Sequence, residues 1–281
     1  MKTITQIANI NLHYARESQH PYGTIGRPRS FDIEDDFNDK IIACFEEVFE
    51  ACPLGKPKVI TCAGIYNYRH KNPRSHHRSG EAFDFDAAFW DDFTLITKRY
   101  HSYKELYLGI ECFMRIHFGI VLNYYYNEDH EDHWHIDNSV PVDFRTSYKS
   151  SNYHLQMVLS EIFEYDLIID GIWGPQTEEM TKDLLNRLGL DGRITTPSTY
   201  KAFLRKAGKI AFLKFEQAKS PLHLLDNVYQ IIADLRLDFN KASSITEALN
   251  DFRNHKETEF WLKEDSNVVE NLLEKLVDEV V

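Results

Sequence analysis

Two short stretches of the sequence concentrate side chains that can bind a metal ion. The chain has 13 histidines, and six of them fall within residues 70–77 and 130–135. The first stretch continues as Gly80-Glu-Ala82-Phe-Asp84, and the second ends as Asp132-His133-Trp-His135-Ile-Asp137. Imidazole nitrogens and carboxylate oxygens suit zinc, and three protein ligands leave a fourth tetrahedral position for water. That open arrangement is typical of a catalytic zinc site rather than a structural one.

The spacing within the second stretch is that of a β-strand. Because side chains alternate between the two faces of a strand, His133, His135 and Asp137 would all point one way, so that a single face would hold a ligand, a base and an orienting carboxylate. In the first stretch, Gly80 and Ala82 are the small residues that a closely approached backbone needs. The alternative is that these histidines are surface residues, or a tract that binds metal only incidentally.

Helices and strands are predicted on either side of the two stretches. Apolar residues recur at helical spacing over residues 38–51 and 103–117. Residues 58–64 and 119–126 are rich in β-branched, apolar and aromatic side chains, which predicts strands that each lead into one polar stretch. The periodicity fades over residues 139–151, where we expect a linker between two domains.

The bulk composition limits the classes of function. The formal net charge is −12 and no lysine- or arginine-rich run supplies a basic patch, so nucleic acid is not an expected partner. No membrane-spanning segment is predicted, and the first residues lack the apolar stretch of a signal peptide, so we expect synthesis in the cytoplasm. The four cysteines have no C-x-x-C spacing and are expected to be small buried residues: Cys44, Cys52, Cys62 and Cys112.

Both stretches resemble the zinc motifs of a known group of peptidases. Ser75-x-His77-x-x-Gly80-x-Ala82-x-Asp84 resembles the first motif of the D-alanyl-D-alanine carboxypeptidases and endopeptidases that hydrolyse peptidoglycan cross-links. His130-x-x-His133-x-His135-x-Asp137 resembles their second motif, in the form found in the extensin-like C-terminal family and the penicillin-insensitive murein endopeptidase. Gly64-Ile-Tyr-Asn-Tyr-Arg69 is similar to a Gly-x-Tyr-x-x-Arg segment of extensin-like proteins. The resemblance covers roughly residues 27–140.

The resemblance implies roles for the matching side chains in metal-assisted amide hydrolysis. His77, Asp84 and His135 would hold Zn²⁺. His133 would be the general base that takes a proton from the zinc-bound water. Asp132 is a competing candidate for the base, because related branches use a carboxylate close to the last ligand.

Two further side chains receive roles from the same resemblance. His130 would assist or orient the base, and Arg69 would steady the developing oxyanion, as in the carboxypeptidase branch. The alternative for Arg69 is a solvated loop arginine. Tyr68 stands where extensin-like proteins usually have a cysteine, so their disulfide is not expected here.

A second, helical region follows. Residues 150–206 resemble a peptidoglycan-binding domain of the three-helix type, through Asp170-Gly-Ile-Trp-Gly174-Pro175-Gln-Thr177 and Asp191-Gly192. Trp173 and Ile172 are expected to pack beneath the turn between two helices. The alternative is a packing module without a ligand. Residues 207–281 predict amphipathic helices with an acidic polar face and carry no resemblance, so a delivery or immunity protein is an open possibility as their partner.

The predicted fold class is α+β. A zinc peptidase domain with a small antiparallel sheet flanked by helices is expected over residues 1–145, followed by an all-helical C-terminal region. The expected function is a zinc-dependent peptidoglycan hydrolase, an endopeptidase or carboxypeptidase acting on a D,D- or L,D-bond. Such an enzyme would reach the wall after release, as an endolysin, or by injection, as an antibacterial effector.

Two other functions are alternatives to this one. The first is a non-catalytic peptidoglycan-binding protein with a structural metal site, although every presumed ligand and base is present. The second is a different metal hydrolase, such as a phosphoesterase or a lactamase-like enzyme. The metallo-β-lactamase order H-x-H-x-D-H does not occur here, because the second stretch reads D-H-x-H-x-D.

Overall fold

A computed structural model describes residues 1–218, which contain ten strands and five α-helices. The strands are β1 (Lys2–Ile4), β2 (Gln6–Ile7), β3 (Ile10–Tyr14), β4 (Arg27–Pro28), β5 (Phe31–Ile33), β6 (Val59–Gly64), β7 (Ala82–Phe89), β8 (Thr94–Ile96), β9 (Ile120–Leu122) and β10 (Trp134–Asp137). The helices are α1 (Asp35–Ala51), α2 (Lys104–His117), α3 (Lys149–Met157), α4 (Pro175–Arg187) and α5 (Pro197–Ala218). The helices predicted beyond residue 218 lie outside the described residues.

The described strands form two sheets. β1 pairs with β5, and the other eight strands form one sheet in the order β2-β3-β6-β7-β10-β9, with β4 beside β3 and β8 beside β7. The α+β class is confirmed, but the predicted small antiparallel sheet is wrong. The large sheet is mixed, because β3 and β6 are parallel. α1 lies in the connection between these two strands, and a parallel pair needs such a crossover.

Alternation along β7 and β10 gives this sheet two different faces. Phe83 and Phe85 of β7 pack edge-on against Phe45 of α1, with ring centroids 5.6 and 5.9 Å apart. Trp134 of β10 packs against Phe85 at 5.3 Å. The intervening positions point to the opposite face, and they hold Asp84, Asp86, His135 and Asp137. Packing of the aromatic side chains on one face of the sheet therefore holds β7 and β10 in place. The polar side chains project from the opposite face.

The helices predicted on either side of the polar stretches are present. The helix predicted over residues 38–51 is α1, which begins earlier because the Glu34 carboxylate accepts a hydrogen bond from the Phe37 N–H at 2.7 Å and caps the first turn. The helix predicted over residues 103–117 is α2. The strand predicted over residues 58–64 is β6.

The strand predicted over residues 119–126 is correct only in its first half. β9 ends at Leu122, and the next residues form a turn in which the Tyr126 N–H donates to the Asn123 carbonyl at 2.9 Å. The Tyr124 ring stacks on Tyr100, with centroids 5.3 Å apart. The tyrosines that suggested a strand therefore belong to an aromatic cluster beyond its end.

The turn before α4 differs from the prediction in its apolar contacts. Ile172 is 64% exposed, so its predicted burial is wrong. Trp173 packs against Phe144, with ring centroids 5.4 Å apart. The turn is held by polar contacts instead, since the Gln156 side-chain oxygen accepts from the Gly171 N–H at 2.7 Å. α4 begins at Pro175, where a proline favours a helix start.

α5 packs closely against α2. The Phe212 ring stacks on Phe113, with centroids 5.7 Å apart, and Gly109 and Gly208 lie where the two helices approach. By its contacts, Met1–Gln217 forms one compact unit. The predicted boundaries near residues 145–150 and 206–207 both fall within this unit, and the second falls inside α5. The division into three functional domains stays a prediction.

We expect Gly109→Ala to destabilise the protein. A methyl group on Gly109 would lie 2.4 Å from the Phe212 ring. Overpacking of this kind costs about 1–3 kcal/mol, which exceeds the roughly 1 kcal/mol that alanine gains over glycine in a helix. Urea denaturation measures the free energy of unfolding. Gly174→Ala is the control, because a methyl group there meets nothing within 4 Å. A Gly109→Ala protein as stable as the control would contradict the packing of α5 on α2.

All four cysteines are buried, as predicted. Burial raises the pKa of the thiols of Cys44, Cys62 and Cys112, which keeps them protonated and unreactive. Within residues 1–218, no helix has the length and apolar character needed to cross a bilayer.

Candidate metal centre

Three candidate ligands converge from separate elements. Asp84 on β7 and His135 on β10 are direct partners across an antiparallel strand pair, so their side chains meet on one face. His77 lies on a 3₁₀ turn, His76–Arg78, in the loop between β6 and β7. In the part of the chain that the structure describes, these three residues could hold a metal ion, with their donor atoms within 4.8 Å of one another. The identity of the ion stays a prediction.

The distances between the donor atoms suit a small tetrahedral ion. His77 Nε2 lies 3.1 Å from Asp84 Oδ2, and His135 Nδ1 lies 2.9 Å from Asp84 Oδ1. The two imidazole nitrogens are 3.2 Å apart. Bonds of about 2.0–2.1 Å in a tetrahedral zinc site place the ligand atoms about 3.3 Å apart. The donor atoms therefore lie close to the spacing of a zinc site, with each imidazole beside a different oxygen of Asp84.

The outer nitrogen of each imidazole has a partner that fixes the tautomer. His77 Nδ1 lies 2.9 Å from the Ile65 carbonyl oxygen, which can only accept, so this nitrogen carries the hydrogen. His135 Nε2 lies 3.1 Å from Asp137 Oδ2 and donates to that carboxylate. In the neutral rings, His77 Nε2 and His135 Nδ1 then have free lone pairs directed at Asp84. Such outer partners orient metal-binding histidines and raise their basicity.

Gly80 shapes the loop that presents His77. Its φ is +76°, a backbone conformation that favours glycine, and a Cβ there would lie 3.0 Å from the Glu34 nitrogen. The Glu34 N–H donates to the Gly80 carbonyl at 3.0 Å, which ties this loop to the start of α1. The prediction that a small residue is needed at this position is confirmed.

His133 lies between the ligands and Asp132. Its Nε2 is 3.6 Å from Asp84 Oδ1, and its Nδ1 is 2.8 Å from Asp132 Oδ1. The Asp132 carboxylate also accepts two hydrogen bonds from Arg16, at 2.9 and 3.0 Å. The Asp132 carboxylate thus contacts Arg16 and the Nδ1 of His133. The Nε2 of His133 faces the candidate ligands instead. Which of the two is the base stays a prediction.

His130 and Arg69 occupy different surroundings. The His130 ring lies 5.1 Å from His133 and 5.9 Å from His135, between centroids. Burial, together with the nearby positive charge of these histidines, lowers the pKa of His130 to about 4, which keeps it neutral at pH 7. Arg69 is exposed, and its side chain forms no ion pair within residues 1–218. The role of each stays a prediction.

Arg16 and Asp86 are part of the site and were not predicted from the sequence. Asp86 follows Asp84 by two positions on β7, and its side chain is completely buried. Burial raises the pKa of Asp86 to about 6, against the opposing effect of Arg16, which donates to both of its oxygens at 3.0 and 2.7 Å. The only feature of the sequence that points to this pair is Asp86 itself, an aspartate at a buried strand position. A buried carboxylate needs a cation beside it. Nothing local identifies that cation as Arg16.

The loop before His77 concentrates positive charge in an otherwise acidic chain. No acidic residue occurs from Ala51 to Gly80, and the loop contains Arg69, Lys71, Arg74 and Arg78. The first three are exposed and form no ion pair within the described residues. Arg78 holds the loop together by donating to the His70 carbonyl at 3.0 Å. This charge was not predicted, because the four cations are spread over ten residues instead of forming a run.

We expect Asp137→Asn to weaken zinc binding about 10–100-fold, the usual effect of losing a partner of a metal-binding histidine. Burial opposes the charged imidazole of His135, but hydrogen bonds to Asp137 and Asp84 raise its pKa to about 9 without metal. Below pH 9 zinc must displace this proton, so its apparent affinity should fall as the pH falls. Competition with a chromophoric chelator between pH 7 and 9 measures both effects.

Asp143→Asn is the matched control for this substitution. The Asp143 carboxylate pairs with Arg145 at 2.9 Å and is not part of the metal centre. Its replacement should leave the zinc affinity unchanged at every pH. Equal affinities for wild type and Asp137→Asn would show that Asp137 does not support His135.

No protein-family model, no curated protein and no solved structure matches this chain. The residues and geometry of the candidate metal centre are therefore the basis for inferring its function.

Proposed function

We propose that the chain is a zinc-dependent peptidase that cleaves an amide bond in the stem peptide or the cross-link of peptidoglycan. The observation that carries the proposal is the convergence of His77, Asp84 and His135, with both imidazoles fixed by outer partners in the tautomer that a metal requires. His133 stands beside them with a further nitrogen. Three ligands and an adjacent base are the components of a hydrolytic zinc site.

The residues around the ligands can move the protons of amide hydrolysis. Zinc held there would supply a Lewis acid that activates water and polarises the scissile carbonyl. His133 Nε2 would accept the proton of the attacking water and return it to the leaving nitrogen, a proton transfer that histidine performs more often than any other side chain. Asp132 would accept the N–H at Nδ1, which keeps Nε2 free and favours the protonated ring after transfer.

Two features support a peptidoglycan peptide as the substrate. The first is the resemblance of Ser75–Asp84 and His130–Asp137 to the motifs of enzymes that hydrolyse cell-wall peptides. The second is the cationic loop that carries His77, with exposed side chains at Arg69, Lys71 and Arg74. Stem peptides carry free carboxylates, and a cationic rim favours an anionic substrate over a neutral one.

Mass spectrometry of digested cell wall tests this function. Purified full-length protein is depleted of metal with a chelator, reloaded with one equivalent of zinc and incubated with purified sacculi. We expect new stem-peptide or uncross-linked fragments only after reloading, and their masses identify the cleaved bond. An unchanged fragment pattern with the zinc-loaded protein would overturn the proposal.

A further inference from the structure

We infer that Arg16 is a positioning residue for the site: it clamps Asp132 to Asp86, so that Asp132 in turn fixes the His133 imidazole toward the metal ligands. The role of His133 as base rests on the proposed function, whereas the clamp itself is a property of the fold. Arg16 lies just after β3, 116 residues from Asp132 and 70 residues from Asp86.

The guanidinium of Arg16 joins two carboxylates at once. Nε and Nη2 donate to the two oxygens of Asp86, at 3.0 and 2.7 Å. Nη1 and Nη2 donate to the two oxygens of Asp132, at 2.9 and 3.0 Å. Four N–H groups of one planar cation are therefore used, in a geometry that the ammonium group of lysine cannot reproduce.

The two carboxylates differ in exposure, and this difference makes Asp86 the fixed end of the clamp. The Asp86 side chain is fully buried on β7, the strand that also carries Asp84. The Asp132 side chain is 29% exposed, in the segment between a 3₁₀ turn and β10. Without Arg16, Asp132 would be free to turn into solvent and to release the His133 N–H. Arg16 therefore ties the orientation of His133 to the strand that presents a metal ligand.

Neighbouring groups keep the guanidinium in place. Arg16 lies over the Tyr22 ring, 5.2 Å from its centroid. The Thr97 hydroxyl lies 2.8 Å from the Asp86 carbonyl and 2.7 Å from the Asp132 carbonyl, and donates to one of them at a time. The backbones of the two clamped residues are thus held together independently of Arg16. Loss of the clamp should therefore affect the Asp132 side chain more than the fold.

Arg16→Lys is the first test. Lysine keeps a cation beside buried Asp86 but cannot bind both carboxylates. We expect kcat on cell-wall peptides to fall about 10- to 100-fold, because a small misplacement of a catalytic group has an effect of that size. KM and the zinc content should be unchanged. Arg27→Lys is the control, since Arg27 forms a similar two-bond pair with Glu17 on the exposed surface.

A spectroscopic measurement tests the clamp independently of peptidase activity. In the ¹⁵N spectrum of the zinc-loaded protein, His133 should show the tautomer with hydrogen on Nδ1 in the wild type and in Arg27→Lys. In Arg16→Lys it should show a mixture of tautomers. If the wild type lacks peptidase activity but Arg16→Lys changes the tautomer, the proposed function fails and the clamp stands. An unchanged tautomer in Arg16→Lys would overturn the inference.

A double variant covers the case in which Arg16→Lys does not fold. Arg16→Met combined with Asp86→Asn removes the cation together with the buried charge that it neutralises, which avoids an unpaired buried carboxylate. Asp132 is then left without its clamp. The same change in the His133 tautomer is expected, and a wild-type tautomer in the folded double variant would overturn the inference.

Discussion

His135→Ala is expected to abolish both zinc binding and hydrolysis. The substitution removes one of three candidate ligands and leaves His77, whose Nε2 lies 3.1 Å from Asp84, as the remaining imidazole ligand. Zinc contributes several kcal/mol of charge stabilisation to amide hydrolysis, and each 1.4 kcal/mol is about a tenfold change in rate. Activity on cell wall should therefore fall by about 10³-fold or more. Elemental analysis and fragment release, measured on the same preparation, check the two losses together.

A histidine outside the cluster provides the control for this substitution. His20 lies near the N-terminus, where its backbone pairs with Glu17 in an isolated bridge. His20→Ala should retain one zinc per chain and full activity. Retention of zinc and activity by His135→Ala would mean that the three converging residues are not the metal centre.

His133→Ala should lower kcat about 10²- to 10⁴-fold while zinc stays bound, the range typical of a lost general base. The physical reason is that His133 Nε2 is the free nitrogen beside the ligands, whereas the ligands themselves remain. Steady-state kinetics on a soluble cross-linked peptide separates kcat from KM, and elemental analysis confirms that the metal is retained. Zinc loss on His133→Ala would show that His133 is a ligand instead of the base.

Asp132→Asn is the comparison that decides between the two candidates for the base. The asparagine oxygen can still accept a hydrogen bond from the His133 Nδ1–H. The imidazole is then held less firmly, but its Nε2 can still transfer a proton. We expect a decrease in kcat of about tenfold, clearly smaller than for His133→Ala. A larger loss for Asp132→Asn than for His133→Ala would make Asp132 the base and contradict the assignment of His133.

The convergence of His77, Asp84 and His135 could be predicted because each of the two motifs is a short, continuous segment of the sequence. Side chains two positions apart share a face of a strand, so His135 and Asp137 could be expected to act together, and they are 3.1 Å apart. The outer hydrogen bond of His77 was not predictable in the same way. It depends on the Ile65 carbonyl, whose position follows from the path of the loop and not from any side chain.

The contacts made at long range could not be derived from the sequence. Arg16 reaches the site because β3 pairs in parallel with β6, and nothing in residues 10–14 indicates that partner. The same parallel pair made the predicted antiparallel sheet wrong. The prediction for Ile172 was wrong for a different reason. This apolar residue in a turn was expected to be buried, but the Gln156 side chain organises the turn through hydrogen bonds, and Ile172 is exposed.

X-ray absorption spectroscopy of the zinc-loaded protein tests the metal centre most directly. We expect one zinc per chain with nitrogen and oxygen ligands at about 2.0–2.1 Å, of which two are imidazoles, as His77, Asp84 and His135 require. An open fourth position filled by water agrees with a hydrolytic site. Three imidazoles would place His133 on the metal and favour a closed, structural site, and failure to bind zinc stoichiometrically would contradict the proposed centre.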